Sequence, residues 1–287
     1  MKVWINGELV DKSQASVSVY DHGLLYGDGV FEGIRVYNGK IFQCDAHIDR
    51  LFASAAAIRL KVPYTKEQIV EAMEQSVSAN GIVDGYIRLV ITRGVGTLGL
   101  NPFKCSSPVV FIIADQIAIY SPEMYENGLD VIIAKTRRIS PEMFPPSVKS
   151  CNYLNNIMAK IEAIDAGVPE AIMLNAAGQV AEATGDNVFI VSDGVIITPP
   201  VEAGILDGIT RRVTMKLAKE LNIPLIERAI EVDELYNADE CFLTGTAAEI
   251  IAVRKVNDRV IGEGKAGPIT LKLLEAFRNF IRSECGG

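Results

Sequence analysis

The sequence predicts an α/β fold in two domains, and three observations predict it. At 287 residues the chain is long for one domain of roughly 100–200 residues. Its first part mixes hairpin-like strand pairs with two helical stretches, an α+β pattern, and its second part alternates strands with helices. The composition is 49% hydrophobic and 22% charged, so disordered and fibrous architectures are excluded. The expected division is a small α+β domain over residues 1–115, a linker over 116–127 and a larger α/β domain over 128–287.

The elements follow in order. Val3-Trp4-Ile5, then Asn6-Gly7, then Glu8-Leu9-Val10 reads as strand, turn and strand. Ile34–Tyr37, Asn38-Gly39 and Lys40–Phe42 repeat the pattern. Residues 45–60 change to helical spacing, with Ile48, Leu51, Phe52, Ala55 and Ile58 on one face. A second helix is expected over 65–79, capped by Thr65. Strands return at Tyr86–Thr92 and Val109–Ala114. The stretch 115–127 lacks periodicity and contains Ser-Pro, hence the linker. Beyond it a strand is expected at Leu129–Ala134, then a helix from about Asn152 to Asp165 with Leu154, Ile157, Met158 and Ile161 facing inward. Strands at Glu170–Leu174 and Asn187–Val191 come next. A helix over 209–221, strands at Leu225–Ala229 and Glu240–Thr244, and a last helix near 269–283 complete the chain.

Several function classes are excluded. The 28 basic and 36 acidic residues leave a net charge of −8 with no basic cluster, a poor nucleic-acid binder. Apolar runs such as Val109–Ala114 span one buried strand rather than a membrane, and the N-terminus is too broken by charge for a signal peptide. Five cysteines, never spaced CxxC, and two histidines supply zinc poorly and point to free thiols in a reducing cytoplasm. The block Gly27-Asp28-Gly29-Val30-Phe31-Glu32-Gly33 looks like a dinucleotide fingerprint. That chemistry needs a helix N-terminus after the glycines, whereas a strand follows here, so tight turns and close packing are the better account.

Three other places could carry chemistry. Lys149 lies between Pro145-Pro146 and an apolar helix, among small neighbours; alone it reads as a solvated charge, but a partly desolvated lysine is a nucleophilic amine. Gly208-Ile209-Thr210-Arg211 opens a helix whose free N–H groups and dipole suit a phosphate, and Gly245-Thr246-Ala247-Ala248-Glu249 offers a tight turn of N–H donors after a strand. Each also reads as an ordinary cap or turn. Glu182, among alanines before an apolar strand, reads alone as a loop charge.

Taken together, these pieces resemble the class IV pyridoxal-phosphate aminotransferases. The blocks are Lys149 with Asn152-Tyr153-Leu154, Glu182 with Gly185-Asp186-Asn187, Gly208–Arg211 and Gly245–Glu249. Tyr20–Gly23, Tyr26–Gly33 and His47–Leu51 add to them, and the resemblance covers about residues 3–280. It implies the two-domain fold of type IV pyridoxal-phosphate enzymes, with the cofactor in the cleft between domains. It further implies that Lys149 binds pyridoxal 5'-phosphate covalently and moves the substrate proton. Glu182 would sit at the pyridine nitrogen, Tyr153 at the ring hydroxyl and Leu206 against the ring face. Arg50, Ile209, Thr210 and Thr246 would hold the phosphate, with Gly208 allowing its close approach.

Within that family the sequence resembles the branched-chain aminotransferases. The discriminating stretch is Gly85-Tyr86-Ile87-Arg88, where strand alternation puts Tyr86 and Arg88 on one face. The resemblance implies that Tyr86 and the N–H groups of Thr246 and Ala247 bind the substrate α-carboxylate. Phe31, Tyr26 and Gly33 would wall an apolar pocket, and Arg88 with Tyr26 would accept the side-chain carboxylate of glutamate. The expected reaction is reversible transfer of the amino group from L-leucine, L-isoleucine or L-valine to 2-oxoglutarate, in a cytoplasmic homodimer or higher homo-oligomer without nucleic-acid or membrane partners or a metal. A D-amino-acid aminotransferase, an aminodeoxychorismate lyase and a non-enzymatic dinucleotide-binding module are the alternatives. One departure lies at 115–121, where Tyr120 is out of register with the aromatic residue that the family's linker gives to the substrate lid.

Overall fold

The computed structural model describes residues 1–117 and 120–286. The expected linker and C-terminal domain include Ala118, Ile119 and Gly287, which lie outside the described residues. The chain groups into two compact units. The first holds Met1–Ile117, Val148–Asn152 and the C-terminal stretch from Ile281. The second holds the segment that ends at Ser147 and Tyr153–Phe280. The Lys149 segment therefore packs with the N-terminal unit, although it lies in the second half of the sequence.

In the first unit the elements are β1 (Lys2–Ile5), β2 (Glu8–Asp11), α1 (His22–Tyr26), β3 (Gly29–Tyr37), β4 (Lys40–Ile41), α2 (Cys44–Ala57), α3 (Lys66–Ala79), β5 (Gly85–Thr92) and β6 (Val109–Asp115). The strands form one antiparallel sheet in the order β2-β1-β6-β5-β3-β4. Both Asn-Gly turns carry positive φ at Asn6 and Asn38, as a two-residue hairpin turn requires. Thr65 and Gln68 form a reciprocal capping box at the start of α3. The short helix α1, absent from the sequence reading, starts at Asp21, whose carboxylate accepts from Gly23 N–H. Alternate residues of the long central strands meet α2 and α3, and Ile34, Leu51, Ile69, Met73, Ile87, Leu89, Ile91 and Ile112 make a core without measurable exposure. Gly27 ends α1 and Gly29–Gly33 belong to strand β3, so a strand and not a helix follows the glycines and the setting that a dinucleotide fingerprint needs does not exist there.

In the second unit the elements are α4 (Pro122–Asn127), β7 (Leu129–Ile133), α5 (Leu154–Asp165), β8 (Glu170–Leu174), β9 (Val180–Ala183), β10 (Asn187–Ser192), β11 (Val195–Thr198), α6 (Ile209–Glu220), β12 (Leu225–Glu227), α7 (Val232–Tyr236), β13 (Glu240–Gly245), β14 (Glu249–Val256), β15 (Arg259–Val260) and α8 (Pro268–Cys285), the last helix grouping with the first unit from Ile281 onward. The mixed sheet runs β12-β11-β10-β13-β14-β7-β8-β9. Pairing of β9 with β10, through Glu182 and Asn187, closes β10-β13-β14-β7-β8-β9 into a ring. Strand residues inside it supply a core that includes Val131, Ile172, Val188, Leu243 and Ile251.

One expectation about α5 is corrected. Leu154, Ile157, Met158 and Ile161 do not face inward; they are 65%, 50%, 48% and 43% exposed. The buried face carries Asn156, Ala159 and Ala163, and the alanines pack with Ala134, Ala171 and Met173. Small residues let a helix lie close on a strand, and the larger apolar row then points away.

Candidate active site

In the first unit, β3 and β5 bring one cluster together. Their register sets Gly33 opposite Arg88 and Arg35 opposite Tyr86, so Phe31, Gly33, Tyr86 and Arg88 share the sheet face turned away from the buried core. The Arg88 guanidinium lies 4.5 Å from the Phe31 ring centroid and 5.5 Å from that of Tyr86. Tyr86 leans over Gly33 so closely that a Cβ there would stand 1.6 Å from its hydroxyl oxygen. The Lys149 amine is 4.8 Å from the same Phe31 ring. The residues expected to supply the amine and the substrate pocket thus converge on one aromatic ring. Tyr26, of the same unit, is 39% exposed, with its hydroxyl accepting from Gly99 N–H at 2.9 Å.

Backbone hydrogen bonds hold Lys149 in place. Phe31 N–H donates to the Lys149 carbonyl at 3.0 Å and Cys151 N–H to the Gly29 carbonyl at 2.8 Å. Lys149 N–H donates to Ser54 Oγ at 3.1 Å. The lysine is therefore clamped between β3 and α2. On the other face of β3, Glu32 is fully buried and receives Arg50 Nε at 2.7 Å, Arg50 Nη2 at 2.8 Å and His47 Nδ1 at 2.8 Å. Burial alone would raise the Glu32 carboxyl, but these donors outweigh it and hold it at about 2. Burial lowers His47 against the pull of Glu32, with the charges of Arg50 and Lys149 adding to the lowering. Burial likewise pushes the Cys151 thiol up to about 11, an inert thiol.

In the second unit, Glu182 is not a loop charge. It lies in β9, 5% exposed, where β9 meets β10. Arg138 Nε donates to its Oε1 at 2.6 Å and Leu206 N–H to its Oε2 at 2.8 Å. Asn187 Nδ2 reaches the same Oε2 at 3.4 Å and the Leu206 carbonyl at 2.8 Å. Glu182 and Leu206 are thus brought together. Gly208 is the N-cap of α6 and has no side chain to cap the first N–H groups; Ile209 and Thr210 follow it, both buried. A Cβ on Gly208 would stand 2.1 Å from Asn187 Oδ1 and one on Gly245 1.7 Å from Asp186 Oδ1, so both loops lie too close to their neighbours for a side chain. Thr246 and Ala247, with Ala248, form the three-residue turn that joins β13 to β14. Tyr153 is the residue that precedes α5. Tyr120 packs edge-on against Tyr125, 6.4 Å between centroids.

Glu32, His47 and Arg138 are contacts that sequence reasoning missed. A glutamate inside the apolar run of β3 is a signal for Glu32, because a buried charge demands partners. Nothing local distinguishes Arg138 from Arg137.

The sequence profile of amino-transferase class IV matches residues 29–256. The chain belongs to the class IV aminotransferases. It is 39% identical over 284 residues to the branched-chain-amino-acid aminotransferase of Pseudomonas aeruginosa, covering 97% of this chain and 92% of that one. Among solved structures it is similar to the branched-chain aminotransferase of the archaeon Thermoproteus uzoniensis with norvaline. There the TM-score is 0.93 at 42% identity, covering 99% of this chain and 95% of that one. It is also similar to the branched-chain amino acid aminotransferase of Thermobaculum terrenum in its PLP-bound holo form. That TM-score is 0.89 at 31% identity, covering 99% of this chain and 96% of that one. These class IV enzymes have the same mixed architecture as this chain.

Among the described residues, no group of three or more His, Cys, Asp or Glu could hold a metal ion, and no helix is long and apolar enough to cross a membrane.

Proposed function

We propose that this chain is a branched-chain amino-acid aminotransferase that uses pyridoxal 5'-phosphate. It transfers the amino group of L-leucine, L-isoleucine or L-valine reversibly to 2-oxoglutarate. The observation that carries this reading is the Phe31 ring, with the Lys149 amine 4.8 Å and the Arg88 guanidinium 4.5 Å from its centroid. One apolar wall thereby borders both an amine and a cation able to take a carboxylate.

The chain's donors fit the cofactor. The N-terminus of α6 behind Gly208, where a Cβ would fill the space, suits a phosphate. Ile209, Thr210, Thr246 and Arg50 would hold that phosphate, Tyr153 the ring hydroxyl and Leu206 the ring face. When bound, pyridoxal phosphate supplies an electron sink for the substrate α-carbon. Lys149 takes the proton from that carbon and returns one to the cofactor's C4′. The Glu182 carboxylate, ion-paired with Arg138, holds a proton on the pyridine nitrogen. Tyr86 and the N–H groups of Thr246 and Ala247 orient the α-carboxylate. Arg88 with Tyr26 receives the second carboxylate of glutamate or 2-oxoglutarate. Phe31, Gly33 and Tyr26 receive the aliphatic side chains. One methylene in such a pocket is worth only about 1–3 kcal/mol, so all three branched-chain substrates turn over.

The active form in this reading is at least a homodimer, with loops of a second subunit completing each pocket. Exposed apolar residues support it: Val19, Leu24, Leu98, Leu100 and Phe103 in the first unit, and the outer row of α5 in the second. Cytoplasmic residence is supported by the five cysteines, all unpaired.

A half-reaction tests the proposal. L-Leucine, added without a keto acid, should bleach the yellow band of the lysine-bound cofactor, and D-alanine should not. Bleaching by D-alanine alone would leave Lys149 in place and make the enzyme a D-amino-acid aminotransferase. Pyruvate release from aminodeoxychorismate would make it a lyase. A Lys149→Ala variant that still binds the cofactor covalently would refute the assignment of the amine.

A further inference from the structure

Glu32 is a costly residue. It sits in the middle of a strand whose neighbours Val30, Phe31, Gly33 and Ile34 are all buried, and a carboxylate there must be paired. It is paired three ways, and two of the bonds go to one guanidinium, at Nε and Nη2 of Arg50. A side-on fork of this kind fixes the plane of the guanidinium as well as its place. The third bond, from His47 Nδ1 on the same helix, fixes the carboxylate in turn. The side chains of Glu32, His47 and Arg50 are 0%, 2% and 9% exposed, so water does not compete.

We propose that Glu32 is a positioning residue for the cofactor phosphate: its carboxylate holds the Arg50 guanidinium in the single orientation that receives the phosphate. The proposal rests on the reading of Arg50 as a phosphate ligand. Two further observations support it. The strand residue next to Glu32, Phe31, donates its N–H to the Lys149 carbonyl, and α2, which carries His47 and Arg50, receives Lys149 N–H through Ser54. The Glu32 carboxylate thus ties together the two elements that hold the lysine. A counter-charge that only neutralised Arg50 would weaken its grip on an anion. A fork that pre-orients the guanidinium strengthens the grip, because the ordering cost is met before the phosphate arrives.

The two roles predict opposite results in the full-length protein freed of cofactor. The probe is pyridoxamine 5'-phosphate, which has no aldehyde to couple to Lys149, with pyridoxamine as the phosphate-free control. In calorimetric titrations Glu32→Gln should weaken pyridoxamine 5'-phosphate by about tenfold to a hundredfold and leave pyridoxamine unchanged. Glu32→Asp keeps the charge but is too short for both bonds, and it should lose affinity in the same way, which covers the case of Glu32→Gln not folding. In an Arg50→Ala background the Glu32→Gln effect should vanish, since Glu32 acts through Arg50. Tighter binding of pyridoxamine 5'-phosphate by Glu32→Gln would overturn the proposal, as would an equal loss for both probes, the mark of a merely structural role. If Arg50→Ala alone leaves pyridoxamine 5'-phosphate unaffected, the reading of Arg50 fails and takes the proposal with it.

Discussion

A methyl group on Gly33 would stand 1.6 Å from Tyr86 Oη and 2.5 Å from Cζ. Both distances are far inside van der Waals contact, so in Gly33→Ala the Tyr86 ring must leave its place beside Arg88. Overpacking of this kind costs about 1–3 kcal/mol. The substitution also stiffens the unfolded chain, which returns about 0.4–1 kcal/mol where the backbone is compatible, as it is in a strand of ordinary φ. The balance is a net loss on the order of 1–2 kcal/mol, or a few degrees in the unfolding midpoint. The consequence for function is larger under the proposed role of Tyr86, in which its ring orients the α-carboxylate. KM for L-leucine should rise about tenfold. The decisive assay is a double-mutant cycle. Tyr86→Phe removes the hydroxyl but leaves Cζ at 2.5 Å, so it should not restore the stability of Gly33→Ala. Tyr86→Ala removes the ring and should restore it. A Gly33→Ala enzyme with unchanged midpoint and unchanged KM would refute the reasoning, as would equal rescue by Phe and Ala.

Three further predictions concern charge. Arg138→Met leaves buried Glu182 without its guanidinium and should cost roughly 3–5 kcal/mol in denaturant unfolding, most of it recovered when Glu182→Leu is added. Arg88→Gln should raise KM for 2-oxoglutarate about tenfold or more while changing that for L-leucine far less, because only the dicarboxylate needs the cation. Acid should destabilise the protein through Glu32 and His47. Glu32 is held at about 2 against an ordinary 4.5, so its contribution, on the order of 3 kcal/mol, is complete above pH 4.5 and is lost as the pH falls toward 2. His47 is held below its ordinary 6.5; protonation therefore favours the unfolded chain, and stability falls as the pH drops through 6.5. A Glu32→Gln variant should show a flatter acid limb in circular dichroism, and a limb parallel to that of the parent protein would contradict the assignment.

Local pattern was enough for much of this protein. The Asn-Gly hairpins, the Thr65 cap, the helices α2, α3 and α6 and the strands β5, β6, β8 and β10 are written in turn chemistry and periodicity, which act over a few residues and need no distant partner. The same holds for the alternation that sets Tyr86 and Arg88 on one face. The motif blocks around Lys149, Glu182 and Gly208 made the family legible, because several weak signals in one order are specific together. Tertiary structure alone decided the rest. The helix α5 has apolar residues on more than one side, and periodicity does not say which side meets the sheet; close packing on β8 chose the alanines and turned Leu154 and Ile157 outward. The grouping of Val148–Asn152 with the N-terminal unit depends on backbone hydrogen bonds to a strand more than a hundred residues away. The partners of two of the buried carboxylates, Arg50 and His47 for Glu32 and Arg138 for Glu182, lie 15 to 44 positions distant in the chain. A sequence shows that a charge is present, but the desolvation that makes its partner obligatory exists only once the chain has folded around it.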